Sequence, residues 1–433
     1  MEVLKCEAIE KWTGIAQSHP IIQSLDDIVS WKVVPPFCKI GRSSWLPLEE
    51  PIIVEGPCGD IHVEALKIKG VGFLDYDGNI RQPTTTMLPR LSANLGISKE
   101  GSFSILPGYA GPIGGITLEK ASAEYKTART LTEKGIPSSV PIRLYKYSDL
   151  RYRTKEGTIV PMGVVVTGQL QRTFKRLDTA LKYSTADDDE TKAELNRFAK
   201  KMGVSLSQEP ELSLFRASYA SYGHHIREFS KCGYYRYSFY PNNLGFSAHR
   251  GSAYFTDLDS CRELVECSEI EKPMQVMRDA LSAVLYLIII FVQEPYIHYF
   301  SPEQVFQANL QRTFLANYYC DLSIELIDAL VEVLNEYHLE LYHRAIGSQE
   351  QSFPEETDVP SDLPPDLAYQ LNHNKKVKFC KSSWLNYEEI YCYLIAVMSV
   401  LHSRSQISAI YPFKLTEEEL YANMADFGTP QTV

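Results

Sequence analysis

The sequence predicts an α+β chain, a small β-rich part built around one prominent helix followed by a larger, mainly helical part. Three observations carry that expectation. The runs PIIVEG (51–56), HVEALKIKGVGFL (62–74) and MGVVVTG (162–168) are rich in β-branched residues and bounded by Gly or Pro, as strands are. Between them lies LEKASAEYKTARTLTEKG (118–135), a helical segment with Gly135 as its C-terminal cap and Pro137 just beyond. From 171 onward helical periodicity dominates, over 188–202, 211–231, 274–297, 303–317, 322–345, 386–403 and 415–425.

Taken in order, residues 1–50 mix a short helical pattern with Trp- and Pro-rich loop and read as an extension packed on the small part. Residues 51–170 form that small part, and 171–433 the helical one. The acidic run at 186–190 reads as an exposed helix start, and the Pro-containing acidic stretch 349–376 as a mobile loop.

Composition narrows the function. With 433 residues and 44% hydrophobic content the chain can build a large core. A net charge of −11 argues against a protein that coats nucleic acid or an anionic membrane, so any phosphate site must be a local concentration of Lys and Arg. Nine cysteines without a CxxC pair suggest neither a disulfide framework nor a zinc site, and point to a reducing compartment. The opening MEVLKCEAIEKW lacks the apolar centre of a signal peptide, and the apolar run 280–292 is too short to span a bilayer. The expected location is cytoplasmic.

The residues that can carry chemistry begin with Lys67 and Lys69. In a strand they share one side, with Leu66 and Ile68 on the other. On the 118–135 helix Thr117, Ala121, Glu124, Ala128 and Leu131 form one stripe, which puts the Glu124 carboxylate in a small, apolar face. Unpaired burial there is costly, and a lysine from the strand would resolve it. Glu119 lies round the helix and is expected in solvent. The loop 107–115 is Gly-rich but lacks a phosphate-loop spacing. Arg172 and Arg176 follow the strand that closes the small part, where guanidinium groups suit phosphate. The stretch NNLGFSAHRGSAYFTDLDSC (242–261) reads as a hairpin turning at Ser247 to Ser252. It puts Asn243 on one arm and Asp257 and Asp259 at the end of the other, oxygen ligands of the kind a magnesium–nucleotide site uses.

These residues resemble the selenoprotein O group of protein-kinase-like proteins. ALKIKGVG is similar to that family's LKGAG strand, which implies that Lys69 contacts phosphate. AEYKTARTLTEKGIPSS resembles its REFLxSEAMxxLGIPTT helix and implies Glu124 as the partner of Lys69. GYYRYSFYPNN matches GFVHGVMNTDN in length and YFTDLD stands where the family has IDYG, so the resemblance implies Asn243 and Asp257 as magnesium ligands. VVVTGQLQRTF is similar to VxxRVAPSHLRFG and carries Arg172 onto a phosphate-binding arginine. The resemblance covers residues 60–265 and implies a bilobal protein-kinase-like fold that transfers AMP from ATP to protein hydroxyls. Departures accompany it. The family's carboxylate base is Asn242 here, Arg236-Tyr237 replace a His-Gly pair, and no Gly follows Asp257.

The expected function is therefore ATP- and Mg²⁺-dependent AMP transfer to a protein or peptide. Lys69 and Glu124 form the catalytic pair, and Lys67, Arg172 and Arg176 help bind nucleotide. Asp259 caps the next helix, the preferred role, binds a second ion, or substitutes as base. Phosphoryl transfer uses the same groups. A catalytically silent pseudokinase scaffold is the alternative from another class, favoured by Asn242 and by the missing Gly.

Overall fold

The computed structural model describes residues 2–335 apart from 37–41, 76–77, 89–93, 98, 100–102, 107–110, 155, 181–187, 206–208, 237–242, 270, 273–274, 277, 281–282, 285–300, 330 and 333–334. The expected loop at 349–376 and helices at 386–403 and 415–425 lie outside these residues, as do most of 274–297 and 322–345 and the family's base position at Asn242.

The chain is mixed α and β, with a sheet-rich N-terminal part followed by helices. Strand β1 (Cys6–Lys11) precedes helix α1 (Pro20–Val29), then β2 (Ser43–Val54), β3 (Ile61–Lys69), α2 (Leu118–Glu133), β4 (Val140–Arg153) and β5 (Ile159–Gln169). These strands form an antiparallel sheet in the order β1-β4-β5-β3-β2, with the short strand Ile116–Thr117 also paired to β5. Short two-stranded ribbons fill much of the connection between β3 and α2.

Two strands differ from the sequence expectation. Residues 6–11 were expected as part of a helical or loop segment, yet they pair with β4 from Cys6↔Tyr147 to Lys11↔Arg143. The ladder supplied by β4 overrides a weak local pattern. Strand β4 itself escapes a search for β-branched runs because its sequence, VPIRLYKYSDLRYR, mixes Tyr, Arg and Lys with few Val or Ile.

Apolar residues from both sides of the sheet merge in one core. It joins Ile22, Leu25 and Val29 of α1, Leu66 and Ile68 of β3, Val164 and Val166 of β5, and Ala121 and Tyr125 of α2. Helix α2 starts on an N-cap hydroxyl, Thr117 accepting from the Lys120 N–H, and ends with Gly135 at φ 75°, a left-handed position suited to glycine.

After β5 the chain enters a link anchored from two sides. The Gln171 side chain donates to the Thr173 and Lys175 carbonyls and accepts the Phe246 N–H. The buried Glu194 carboxylate of α3 (Asp189–Met202) accepts the Arg172 N–H at 2.7 Å and the Thr173 N–H at 3.0 Å. Burial pushes Glu194 up to about 7 from an ordinary value of 4.5. A group raised on folding contributes stability that is complete below its unfolded value and is lost as pH rises through its folded value. Stability is thus expected to fall between about pH 5 and about pH 8, and Glu194→Gln to flatten that slope. Urea midpoints of both proteins at the two pH values check it; an unchanged slope in the variant refutes the assignment.

Helix α4 (Pro210–Lys231) follows, then β6 (Tyr234–Arg236), the hairpin β7 (Leu244–Ser247) and β8 (Ser252–Phe255), and β9 (Cys261–Glu263) paired with β6. Helices α5 (Pro302–Gln307) and α6 (Leu310–Tyr318) stand where one helix was expected over 303–317. Asn309 at φ 54° separates them, since a left-handed residue cannot continue a right-handed helix. Helix α6 packs against α4 at Gly223, where a Cβ would run into the Phe314 carbonyl.

The β7–β8 hairpin is held against both parts of the chain. Phe255 packs on Tyr222 and Phe229 of α4, with ring centroids 5.8 and 5.5 Å apart. Its N–H donates to the Pro137 carbonyl at 3.0 Å, and its carbonyl accepts the Ser139 N–H at 2.8 Å. The exit from α2 is thereby clasped to β8. At the turn, His249 stacks on His62 of β3 with centroids 3.4 Å apart.

Candidate functional site

Strand β3 lies between β2 and β5, and its two-residue repeat sets Lys67 and Lys69 side by side on one face. Both are buried, at 4% and 1% exposure. Glu124, fully buried on α2, accepts from Lys69 Nζ at 2.8 Å. Its other oxygen, Oε1, lies 4.0 Å from Lys67 Nζ and has no hydrogen-bond partner among the described residues.

The hairpin brings the remaining carboxylates. Asp257 follows β8 and adopts the left-handed conformation at φ 60°, which aspartate tolerates better than most residues with a Cβ. Its Oδ1 accepts from Lys67 at 3.1 Å and also from Lys69. Asp259 was expected to cap a following helix. It sits instead within a 3₁₀ turn, Leu258–Ser260, and turns inward to Arg42 at 2.6 Å and Lys69 at 3.2 Å. The attraction of two cations outweighs a local cap.

Protonation follows from these contacts. Burial pushes Asp257 and Asp259 up, but the surrounding cations, chiefly Lys67 and Lys69 for Asp257 and Lys69 and Arg42 for Asp259, hold both well below the usual carboxylate range. Burial pulls Lys69 down, yet Asp257, Asp259 and Glu124 together raise it above its ordinary value. Lys67 has fewer partners, and burial lowers it to about 8.

The two arginines expected at the site part company. Arg172 donates to the Leu48 carbonyl and pairs with Glu190, away from Lys69. Its own carbonyl accepts the Trp45 indole N–H at 2.8 Å, so this stretch of the link is tied to β2. Arg176 acts electrostatically on both Asp257 and Lys67. Its Nη1 is a buried donor without an acceptor among the described residues. Asn243 lies opposite Thr256, whose N–H and hydroxyl both donate to the Asn243 carbonyl at 3.1 Å. The Asn243 carboxamide makes no hydrogen bond among the described residues.

Glu124, Asp257 and Asp259 offer carboxylate oxygens within 4.8 Å of one another, a spacing a divalent cation can use. Those donors are already engaged by Lys67, Lys69 and Arg42. Asp257 Oδ1 is shared by Lys67 and Lys69, so a cation held between Asn243 and Asp257 would compete with two ammonium groups for that oxygen.

Behind Asp257 stands a support that sequence reasoning missed. Arg236, almost fully buried, donates to the Asp257 carbonyl at 2.7 Å and to the Ser260 hydroxyl at 3.2 Å. Its own N–H donates to Asp279 at 2.5 Å, and Asp279 also accepts from Arg278 at 2.6 Å. Burial raises Asp279 to about 6. A signal existed: Arg278-Asp279 is a charged pair inside the apolar stretch VMRDALSAVLYLIII.

No protein-family model matches the chain, and no curated protein matches it. Its likeness to solved structures of the protein-kinase fold is weak. The kinase domain of a Toxoplasma gondii specific rhoptry antigen aligns with 66% of this chain and 87% of its own, at 9% identity and a TM-score of 0.29. ROP2 from Toxoplasma gondii, described as a virulence factor with a protein-kinase fold and no enzymatic activity, aligns with 68% of this chain and 83% of its own. Its identity is 10% and its TM-score 0.29. Among the described residues no helix is long and apolar enough to cross a membrane.

Proposed function

We propose that the chain is a kinase-like protein that binds the phosphates of ATP against β3, with Lys69 as the central contact and Lys67 and Arg176 beside it. One observation carries this reading, the crowding of cations at Asp257. Two buried ammonium groups converge on Asp257 and the Arg176 guanidinium acts on it as well, while Glu124 and Asp259 are the other carboxylates at the lysines. Lys67 is lowered by burial to about 8, and Arg176 keeps a buried donor without an acceptor among the described residues. An anion with several oxygens would answer both, and phosphate matches ammonium and guanidinium donors alike.

Transfer of AMP to a protein or peptide hydroxyl is the activity implied by the selenoprotein O resemblance. Such a reaction rests on positioning and charge, which Lys69 and its neighbours supply. Phosphoryl transfer would draw on the same groups. A second reading, ATP binding without catalysis, is favoured by Asp259. Held between Arg42 and Lys69 and well below the usual carboxylate range, it is a weak acceptor for a substrate proton.

Intact-mass analysis of the protein and a generic acceptor protein, after incubation with ATP, separates these readings. An adenylate-sized adduct lost in Lys69→Met supports AMP transfer, and a phosphate-sized one supports a kinase. No adduct together with ATP-induced thermal stabilisation, lost in Lys69→Met, supports binding alone. Neither adduct nor stabilisation sinks the nucleotide reading.

A further inference from the structure

We propose that the site takes the phosphates of a nucleoside triphosphate without a divalent cation, the Lys67 ammonium supplying the positive charge a metal would otherwise bring. The inference rests on the nucleotide reading above and specifies how that ligand is held. Three features carry it.

The first is the pair of lysines at Lys67 and Lys69, two residues apart on a central strand and facing one way. Both donate to the same Asp257 oxygen. A hard divalent cation needs carboxylate lone pairs, and here they are shared between two ammonium groups. The second is the remainder of the acidic set. Asp259 is held by Arg42 and Lys69, and the free oxygen of Glu124 has Lys67 only 4.0 Å away. A dication would have to share these three carboxylates with Lys67, Lys69 and Arg42. The third is the buried Arg176 donor, which requires an acceptor rather than another cation. A polyphosphate brings oxygens to Lys67, Lys69 and Arg176 at once while Glu124 and Asp257 keep the lysines oriented. No bond forms or breaks in this step.

The test is ATP affinity of the full chain, measured by thermal shift and by titration calorimetry, in excess EDTA and in excess Mg²⁺. The expected result is binding in EDTA within about twofold of that in Mg²⁺. Lys67→Met should weaken binding in EDTA about 10- to 100-fold, the loss of a charged hydrogen bond, and weaken it less in Mg²⁺. Lys67→Arg, which keeps the charge, should retain most metal-free binding. ATP binding by the unaltered protein in Mg²⁺ but not in EDTA would overturn the proposal and leave the nucleotide reading standing. No binding in either condition would overturn both. Since the decisive comparison uses the unaltered chain, a variant that fails to fold does not blunt it.

Discussion

Glu124→Ala is expected to lower folding stability by about 3–5 kcal/mol, the cost of breaking a buried ion pair from one side. The side chain is fully buried, and its partner Lys69 is 1% exposed at a distance of 2.8 Å. Removing the carboxylate leaves Lys69 with Asp257 and Asp259, which are also engaged by Lys67 and Arg42. It also opens a void in the helix face that packs between Ala121 and Ala128. Urea unfolding followed by tryptophan fluorescence measures the loss, since Trp12 and Trp31 lie in the same core. Glu124→Gln keeps the shape and one acceptor, so it should cost less than alanine. A loss below about 1 kcal/mol in the alanine variant would mean that Asp257 and Asp259 suffice for Lys69.

Asp279→Ala should have an effect of similar size, about 3–5 kcal/mol, because it strips a buried acceptor from a guanidinium and a backbone N–H together. Asp279 joins the Arg278 side chain to the Arg236 backbone, and Arg236 in turn holds the Asp257 carbonyl. The variant should therefore weaken ATP-dependent stabilisation as well as folding, although Asp279 does not touch the site. Asp279→Asn still accepts from Arg236 and should retain more of both. An alanine variant with unaltered ATP stabilisation would show that Asp257 is positioned without this support.

The parts of the site that were legible in the sequence are those set by short-range geometry. Period-two alternation is enough to put Lys67 and Lys69 on one side, and period-3.6 spacing to put Glu124 on the stripe of Ala121 and Ala128. The hairpin was visible too, with β7 and β8 ending and starting at the expected Ser247 and Ser252. What escaped depends on contacts between distant residues. Arg42 meets Asp259 across 217 positions, and Arg236 meets Asp279 across 43. Arg172 carried a phosphate-binding expectation because it lies where the sheet gives way to helices. Its side chain instead satisfies Glu190 and a carbonyl of β2. Asp259 offered a local cap and took a distant cation. In each case electrostatic pairing in three dimensions outweighed a local preference.

The clasp between the α2 exit and β8 has a consequence for the order in which the molecule can come together. Lys69 finds Glu124 after 55 residues, but Lys67 meets Asp257 only after 190. At a synthesis rate of about 5–20 residues per second, that interval is roughly 10–40 s on the ribosome. Throughout it the nascent chain carries a sheet with its first lysine still short of its hydrogen-bonded carboxylate. Delivery of Asp257 also requires β8, which docks on the Pro137 and Ser139 backbone. Lys67 therefore gains its hydrogen-bonded carboxylate long after Lys69 has gained Glu124.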